Sequence, residues 1–295
     1  MNYYTKIKNE LINNVIYKKV KDYSKNKNDL TTYYNVGKLL SLAGKQYGEG
    51  IIKEYSKKLT EELGVKYSIR YLFDIKKFYL FSKVHPVDAQ LTMSHYRLLF
   101  SLENHNEVDY YINQTIKRNL SKRELQNIIR NKEYERLPEE TKKKLKNKEE
   151  HIISDFIKNP VIIKNKYNYE EISEKILKQL ILEDISSFLK ELGEGFSFIE
   201  SEYKIKIGNN YNYIDLLLFN YIYNAFVVVE LKVTELKKEY IGQIQTYMNY
   251  IDKNLKKVHQ DKTIGIIICK KDNKFIMEYC SDERIYRTTY ELINI

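Results

Sequence analysis

The apolar run at residues 225–229 leads directly into the pair Glu230-x-Lys232. Its β-branched residues and its short length predict a buried strand rather than a helix. Side chains alternate across a strand, so Val228, Glu230 and Lys232 should share one face. A carboxylate and an ammonium at the end of a hydrophobic strand are costly unless they are paired or bound to a metal ion. Because these charged residues are costly for the fold, they indicate a binding or catalytic role at this position.

A second acidic residue, Asp215, lies inside the preceding apolar run, residues 213–219. An aspartate is unfavourable within a strand and needs a partner there. Two adjacent antiparallel strands, joined through residues 220–224, would bring Asp215 beside Glu230. Two carboxylates and a lysine at one sheet edge predict a site for a hard cation with its own charge partner.

The Glu-x-Lys pattern is weak by itself, because a chain rich in lysine and glutamate produces it by chance. It recurs three times in the sequence, at Glu140/Lys142, Glu202/Lys204 and Glu235/Lys237. Only the copy at 230 follows an apolar strand and has an acidic strand upstream of it. The alternative interpretation is a strand that emerges into solvent, with an exposed ion pair at its end.

The chemistry that such a group supports is phosphodiester hydrolysis, which needs an activated water and stabilised charge on the phosphoryl oxygens. Mg²⁺ takes few protein ligands and keeps several waters, so Asp215, Glu230 and the backbone carbonyl of Leu231 would suffice. Lys232 would orient the attacking water, help to deprotonate it, or stabilise the developing charge. Mg²⁺ is the expected ion, and Mn²⁺ is the alternative.

Beyond this constellation, the chain resembles the YhcG-like family of the PD-(D/E)XK nuclease superfamily. The resemblance is strongest over residues 170–295. The stretches that carry it are 188–196, 214–217, 229–232, 263–270 and, in the first half, 91–99. It implies an α-helical N-terminal domain joined to a metal-dependent nuclease domain. One departure from the superfamily pattern is that no proline precedes Asp215.

The resemblance also implies roles for individual residues. Asp215 and Glu230 would bind the metal, and Lys232 would be catalytic. Gln243 matches the auxiliary polar residue on the helix after the core. Glu183 is the candidate for the acidic residue on the first helix of the domain, with the adjacent aspartate as the alternative.

The first half of the chain shows helical periodicity and no convincing strand. An amphipathic helix at 51–63 ends at Gly64, and Ser68 begins another at 69–81. This layout is typical of a helix-turn-helix, whose second helix enters the major groove. The residues expected to contact DNA are Arg70, Lys76 and Lys77. An ordinary helical hairpin with a solvated basic face is the alternative.

The second half begins with a helix, continues with several strands and then has a further helix and a further strand, which predicts a mixed sheet flanked by helices. The predicted elements are one long helix at 169–192, strands at 196–200, 203–207, 213–219, 225–232 and 263–269, a helix at 238–252, and short edge elements at 274–279 and 285–287.

The predicted fold is therefore α+β, with an all-α domain and candidate helix-turn-helix at 1–135 and a charged linker at 136–160. A restriction-endonuclease-like α/β domain with a central mixed sheet would follow at 161–295.

The composition limits the classes of protein to which this sequence can belong. The 295 residues include 43% hydrophobic residues and can build one large or two ordinary domains. No run is long enough to span a membrane, and the N-terminus is too polar for a signal peptide. The two cysteines, Cys269 and Cys280, are expected to be reduced, in a cytoplasm. The scattered histidines and cysteines argue against a structural zinc site.

The net charge of +10 favours a polyanionic partner. An AT-rich genome, which enriches lysine, asparagine, isoleucine and tyrosine, explains the same charge without a partner. The first functional hypothesis is a Mg²⁺-dependent nuclease acting on DNA, with RNA left open. The alternatives are a nucleic-acid-binding regulator with a non-cleaving nuclease-like domain, and a protein-interaction scaffold. Cleavage of both strands would favour a homodimer, because one active site cuts one strand at a time.

Overall fold

A computed structural model describes residues 2–20, 25–147, 155, 157–278, 280 and 282–294. The chain divides into two compact units, Met1–Tyr134 and Glu135–Ile295. Among the helices of the described residues, no stretch is long and apolar enough to cross a lipid bilayer.

The described residues of the first unit form seven helices, as the helical periodicity predicts. They are α1 (Tyr3–Val20), α2 (Lys25–Tyr47), α3 (Ile51–Leu63), α4 (Ile69–Phe81), α5 (Met93–Leu99), α6 (His105–Lys117) and α7 (Lys122–Arg130). Apolar side chains of α1 to α4 share one core, which includes Ile7, Leu40, Ile52 and Leu72.

Local signals around the turn between α3 and α4 act as predicted. Gly64 adopts a left-handed conformation with φ of 67°, and its N–H donates to the Thr60 carbonyl at 3.1 Å. The Ser68 hydroxyl accepts from the Tyr71 N–H at 3.2 Å and so caps α4. These contacts fix a helical hairpin. They do not identify it as a helix-turn-helix, so a DNA-reading role for this hairpin stays a prediction.

The second unit is built on a six-stranded mixed sheet with the order β1-β6-β5-β4-β3-β2. Pairing is antiparallel for β2–β3 and β3–β4 and parallel for the other neighbours. The strands are β1 (Val161–Asn165), β2 (Phe196–Ile207), β3 (Asn210–Asn220), β4 (Ala225–Glu235), β5 (Asp261–Lys271) and β6 (Ile285–Asn294); the helices are α8 (Glu139–Asn147), α9 (Glu174–Glu183), α10 (Ile185–Leu192), α11 (Lys238–Asn254) and α12 (Lys274–Glu278).

The single long helix predicted at 169–192 is wrong, because the chain forms α9 and α10 there. The break is at Asp184, whose carboxylate accepts from the Ser187 N–H at 3.3 Å and caps α10. An aspartate side chain competes with the helical backbone for hydrogen bonds, which favours a new helix start over continuation. Lys164 of β1 also binds this carboxylate, because its Nζ donates to Asp184 Oδ2 at 2.6 Å.

Other boundaries also differ from the predictions. The segments 196–200 and 203–207 form one strand, β2, with a bulge near Phe198. Residues 274–278 form a short helix, and β6 lies between β1 and β5 rather than at an edge. The buried Thr288 of β6 donates to the Lys158 carbonyl at 2.6 Å, so a polar residue is accommodated inside the sheet. The segment 136–160, predicted as a linker, contains α8 and belongs to the second unit.

Two apolar layers cover the two faces of the sheet. Val227, Val229 and Leu231 of β4 pack into the layer formed with α9 and α10. Val228 packs into the opposite layer, formed with α11. The strand therefore alternates between two buried faces along its whole apolar run, which fixes its register.

The contact between α11 and β5 depends on a glycine. A Cβ atom at Gly265 would lie 2.6 Å from Met248 Sδ and 2.9 Å from Ile244 Cδ1. Gly242, on the exposed side of α11, has open space around the same position.

Gly265→Ala should therefore destabilise the protein by about 1–3 kcal/mol through overpacking. Gly242→Ala should stabilise it by about 0.5–1 kcal/mol, because alanine has the higher helix propensity. Urea unfolding of both variants measures the two effects. Equal stability of the two variants would contradict the tight packing of α11 on β5.

Candidate active site

The site lies where β3 and β4 separate. Their ladder ends at the pair Leu216 and Val229, and its register places Asp215 opposite Glu230. Beyond this pair, the Leu231 N–H donates to Asp215 Oδ2 at 3.0 Å. The aspartate side chain thus takes the place of a backbone carbonyl of β3 as the acceptor. The structure thus brings together the two carboxylates that the sequence predicts to be neighbours.

Glu230 is the most buried charged group of the site, with 1% of its surface exposed. Its Oε2 accepts from Lys232 Nζ at 3.2 Å. Its Oε1 is buried and has no hydrogen-bond partner among the described residues. The pKa of Glu230 is raised to about 7, mainly by burial and also by the nearby Asp215 carboxylate, against the opposing effect of Lys232. An unpartnered, buried carboxylate oxygen is a position where a cation would be stabilising.

Lys232 is also buried, with 7% exposure, and its Nζ lies 5.2 Å from the centre of the Tyr240 ring. Burial alone would lower the pKa of Lys232, but the carboxylates of Glu230 and Glu174 outweigh burial and raise the pKa. The amine is therefore a protonated ammonium at neutral pH. In this state the amine donates hydrogen bonds and carries a positive charge, and it cannot act as a base.

Helix α9 contributes two residues that the sequence analysis did not identify. Lys178 Nζ lies 3.3 Å from Asp215 Oδ1 and 2.7 Å from Glu202 Oε1. Glu174, one turn earlier, is close enough to raise the pKa of Lys232. Their spacing of four residues puts them on the same face of α9, which is the signal that could have found them.

Glu183, the predicted acidic residue of this helix, is not brought to the site. It accepts from Gln179 Nε2 at 2.9 Å and bonds to Tyr167. Glu183 follows Glu174 by nine residues, which is half a turn out of phase at 100° per residue, so it projects from the opposite side of α9. The adjacent alternative, Asp184, caps α10 and pairs with a lysine.

Gln243 lies on α11, as predicted, and its Nε2 donates to the Tyr247 hydroxyl at 3.0 Å. Burial raises the pKa of Tyr247, and Glu230 and Asp215 add to that rise. The Gln243–Tyr247 pair is therefore within electrostatic reach of the carboxylates. Tyr247 is a third residue that the sequence analysis did not assign to the site; its four-residue spacing from Gln243 is the signal that could have found it.

The donor set fits a hard divalent cation that keeps most of its own waters. Among the described residues no group of three or more histidine, cysteine or acidic side chains is arranged to hold a metal ion. Asp215 and Glu230 are instead a pair of carboxylates, and the unpartnered Oε1 of Glu230 is the atom that a cation would satisfy. The N–H of Leu231 is held by Asp215, which fixes the backbone next to the predicted carbonyl ligand.

The three basic residues predicted to contact DNA lie on α4 of the first unit. Arg70 and Lys77 are exposed. Lys76 is less accessible, because its ammonium forms an ion pair with Glu49. Their contact with DNA stays a prediction.

The raised pKa of Glu230 generates a stability prediction for the metal-free protein. A folded-state pKa near 7, against 4.5 for the free side chain, means that the protonated carboxyl favours folding. This contribution is full below about pH 4.5 and is lost as the pH rises to about 7, with a total of roughly 3 kcal/mol. Glu230→Gln should therefore gain stability relative to the wild type between pH 5 and 8.

Thermal unfolding in EDTA at several pH values measures this gain. Glu183→Gln, which removes a carboxylate outside the site, controls for the loss of one negative charge. A difference between Glu230→Gln and the wild type that does not change with pH would contradict the burial of Glu230.

Comparisons with known proteins agree with this geometry. Residues 154–293 match the family model of the YhcG PDDEXK nuclease domain, and residues 10–136 match the DUF1016 N-terminal domain. The Escherichia coli (strain K12) protein YhcG, named as a candidate nuclease, is 26% identical over 185 residues. That match covers 61% of this chain and 49% of the relative, so the chain spans about half the length of the curated relative that it matches.

Solved structures show weaker likeness. A repair endonuclease from Pyrococcus abyssi is 22% identical with a TM-score of 0.30, over 41% of this chain and 48% of its own. The EndoMS-dsDNA2 complex is 19% identical with a TM-score of 0.32, over 42% of this chain and 48% of its own. Scores this low carry no argument about substrate. The two family matches together span most of the sequence, and on them the chain belongs to the YhcG-like family of the PD-(D/E)XK nuclease superfamily.

Proposed function

We propose that this chain is a metal-dependent nuclease that hydrolyses phosphodiester bonds of DNA. The observation that carries the proposal is the buried carboxylate of Glu230, whose Oε1 lacks a partner beside a second carboxylate, Asp215. Such an arrangement is costly for a protein that only needs a stable fold, because an apolar residue at the same position would cost less. It is useful to a protein that binds a cation there.

Asp215 and Glu230 would hold the cation, together with the backbone carbonyl of Leu231. A divalent ion bound at this position supplies an activated water and neutralises charge on the phosphoryl oxygens. Mg²⁺ is the proposed ion and Mn²⁺ the alternative. Glu174 replaces Glu183 as the proposed acidic residue of the first helix, because it acts on Lys232 and lies on the face of α9 that reaches the site.

Lys232 is the proposed catalytic residue. As an ammonium beside Glu230, it would orient the attacking water by donating a hydrogen bond and would stabilise negative charge at the phosphoryl oxygens. The Tyr240 ring lies beside its Nζ and limits where the ammonium can move. Gln243 is the proposed auxiliary polar residue, oriented by its hydrogen bond with Tyr247.

DNA is proposed as the substrate because the chain carries a net charge of +10 and belongs to a nuclease family. Arg70 and Lys77 of the helical unit are proposed phosphate contacts, and Lys76 a weaker one, because it is paired with Glu49. RNA remains open as a substrate. A homodimer is proposed for cleavage of both strands, since the described residues of a chain form one such site.

Cleavage of plasmid and short oligonucleotides in Mg²⁺ or Mn²⁺, beside an EDTA control, tests the proposal. We expect metal-dependent cleavage that Lys232→Ala reduces by about 10²–10⁴-fold, because the ammonium acts in the transition state. Lys237→Ala should keep full activity, because this exposed lysine of another Glu-x-Lys pair lies outside the site. Binding without cleavage in either metal would favour the regulator.

Metal binding has a readout that is independent of cleavage. A cation that binds the folded chain alone raises its stability by about 3 kcal/mol at a hundredfold excess over Kd. Thermal unfolding with and without Mg²⁺ should show this rise in the wild type and not in Asp215→Asn. Glu174→Gln should reduce the rise, whereas Glu183→Gln should leave it unchanged. If the rise in stability with Mg²⁺ were lost in Glu183→Gln and kept in Glu174→Gln, the assignment of Glu174 would be overturned.

A further inference from the structure

The hairpin formed by β2 and β3 extends beyond the rest of the sheet at the site. The strands β2 and β3 pair along their full length, down to Ile207 and Asn210 at the turn. Pairing between β3 and β4 begins only at Leu216. Residues 210–215 of β3 therefore form a two-stranded arm with β2, and Asp215 of the site is at the base of this arm.

One face of the arm carries alternating lysines and tyrosines. The register pairs Lys206 with Tyr211 and Lys204 with Tyr213. The same register places Asp215 in the next row, so the rows lead towards the site at intervals of about 7 Å. We define the Lys–Tyr stripe as Lys204, Lys206, Tyr211 and Tyr213.

The stripe is accessible and positively charged. Tyr211 is 56% exposed and Tyr213 is 53% exposed, and both lysines are exposed. Lys204 Nζ lies 3.9 Å from the centre of the Tyr211 ring, and Lys206 Nζ lies 5.9 Å from it. Two ammonium groups thus surround one exposed aromatic ring, which is the combination that binds a phosphate beside a stacked base.

The opposite face of the arm is anchored. Ile205 and Ile214 are fully buried in the apolar layer that includes Ile244 and Met248 of α11. The stripe is therefore displayed on a fixed support rather than on a free loop, which lowers the entropic cost of binding.

We propose that the Lys–Tyr stripe binds an unpaired nucleic-acid strand and directs it to the site at Asp215. Bases would stack on Tyr211 and Tyr213, and the lysines would contact the phosphates. A duplex keeps its bases stacked on each other, so it would not occupy the rings in this way. The inference rests on the proposed function, because it assigns the stripe to the substrate of that same site. It requires that the substrate contain an unpaired segment.

Cross-strand lysine–tyrosine pairs also stabilise hairpins, and charged residues protect edge strands from aggregation. A purely structural stripe would affect the unfolding of the protein and leave strand binding unchanged. The experiment therefore measures both quantities.

Fluorescence anisotropy with the full chain in EDTA measures binding without cleavage. The probes are a labelled DNA strand of mixed sequence, the same strand as a duplex, and an abasic strand of equal length. We expect Tyr211→Ala and Tyr213→Ala each to weaken binding of the mixed strand by about 5- to 150-fold. The abasic strand should bind wild type and variants equally, and the phenylalanine variants should retain binding.

The matched control is Tyr221→Ala, which removes a tyrosine that is 66% exposed in the turn just after β3, at the end of the strand away from the stripe. Lys204→Gln and Lys206→Gln should each lower the slope of log K against log salt by about 0.7. Unfolding in urea confirms that each variant is folded.

Unchanged binding of the mixed strand by both tyrosine variants would overturn the inference, as would wild-type preference for the duplex or no binding at low salt. Cleavage by wild type with no effect of the stripe variants would leave the proposed function intact and reject the stripe. Loss of binding in the stripe variants, in a chain that cleaves nothing, would support the stripe and reject the nuclease proposal.

Discussion

The burial of the Glu230 carboxylate is the physical constraint on which the arrangement of the site depends. Removing a carboxylate from water is costly, and Lys232 satisfies only one of its two oxygens. The apolar layers on both faces of the sheet exclude the water that would otherwise solvate the other oxygen. They also fix β3 and β4, so Asp215 cannot move away to relieve its repulsion with Glu230. The packing of the core therefore leaves a buried, unpaired carboxylate oxygen that a bound cation would stabilise.

Two lysines balance part of this negative charge from different elements. Lys232 belongs to the strand and has its partner on the same strand, whereas Lys178 reaches Asp215 from α9. Lys178 also has a second acceptor, the exposed Glu202. A cation bound at Asp215 would therefore not leave Lys178 without a partner, because its contact with Glu202 remains. A cation can therefore replace the contact between Lys178 and Asp215 without leaving a partly buried ammonium unpaired.

Much of the site could be predicted from the sequence because it depends on local pattern. Alternation along β4 and the short connection to β3 were enough to place Asp215 beside Glu230. The resemblance implied an acidic residue on the first helix of the domain, but it did not show which turn of that helix meets the sheet, and the structure places Glu183 away from the site. The break at Asp184 depends on a cap held by Lys164, a residue twenty positions away. The four-residue spacing of Glu174 and Lys178 places both on one face of α9, but the contact of Lys178 with Asp215 depends on how α9 packs against the sheet, which the spacing alone does not give.

The register of the β2–β3 hairpin against β4 fixes both the geometry of the candidate site and the surface that leads to it. In the β3–β4 ladder, a shift of the whole β2–β3 hairpin by one residue would move each of its side chains to the other face. Such a shift would place Ile214 where Tyr213 is exposed and would remove Asp215 from Leu231. The buried Ile205 and Ile214 oppose this shift, because it would expose both to water. The same two apolar residues therefore hold the aspartate in the site and keep the Lys–Tyr stripe facing outwards.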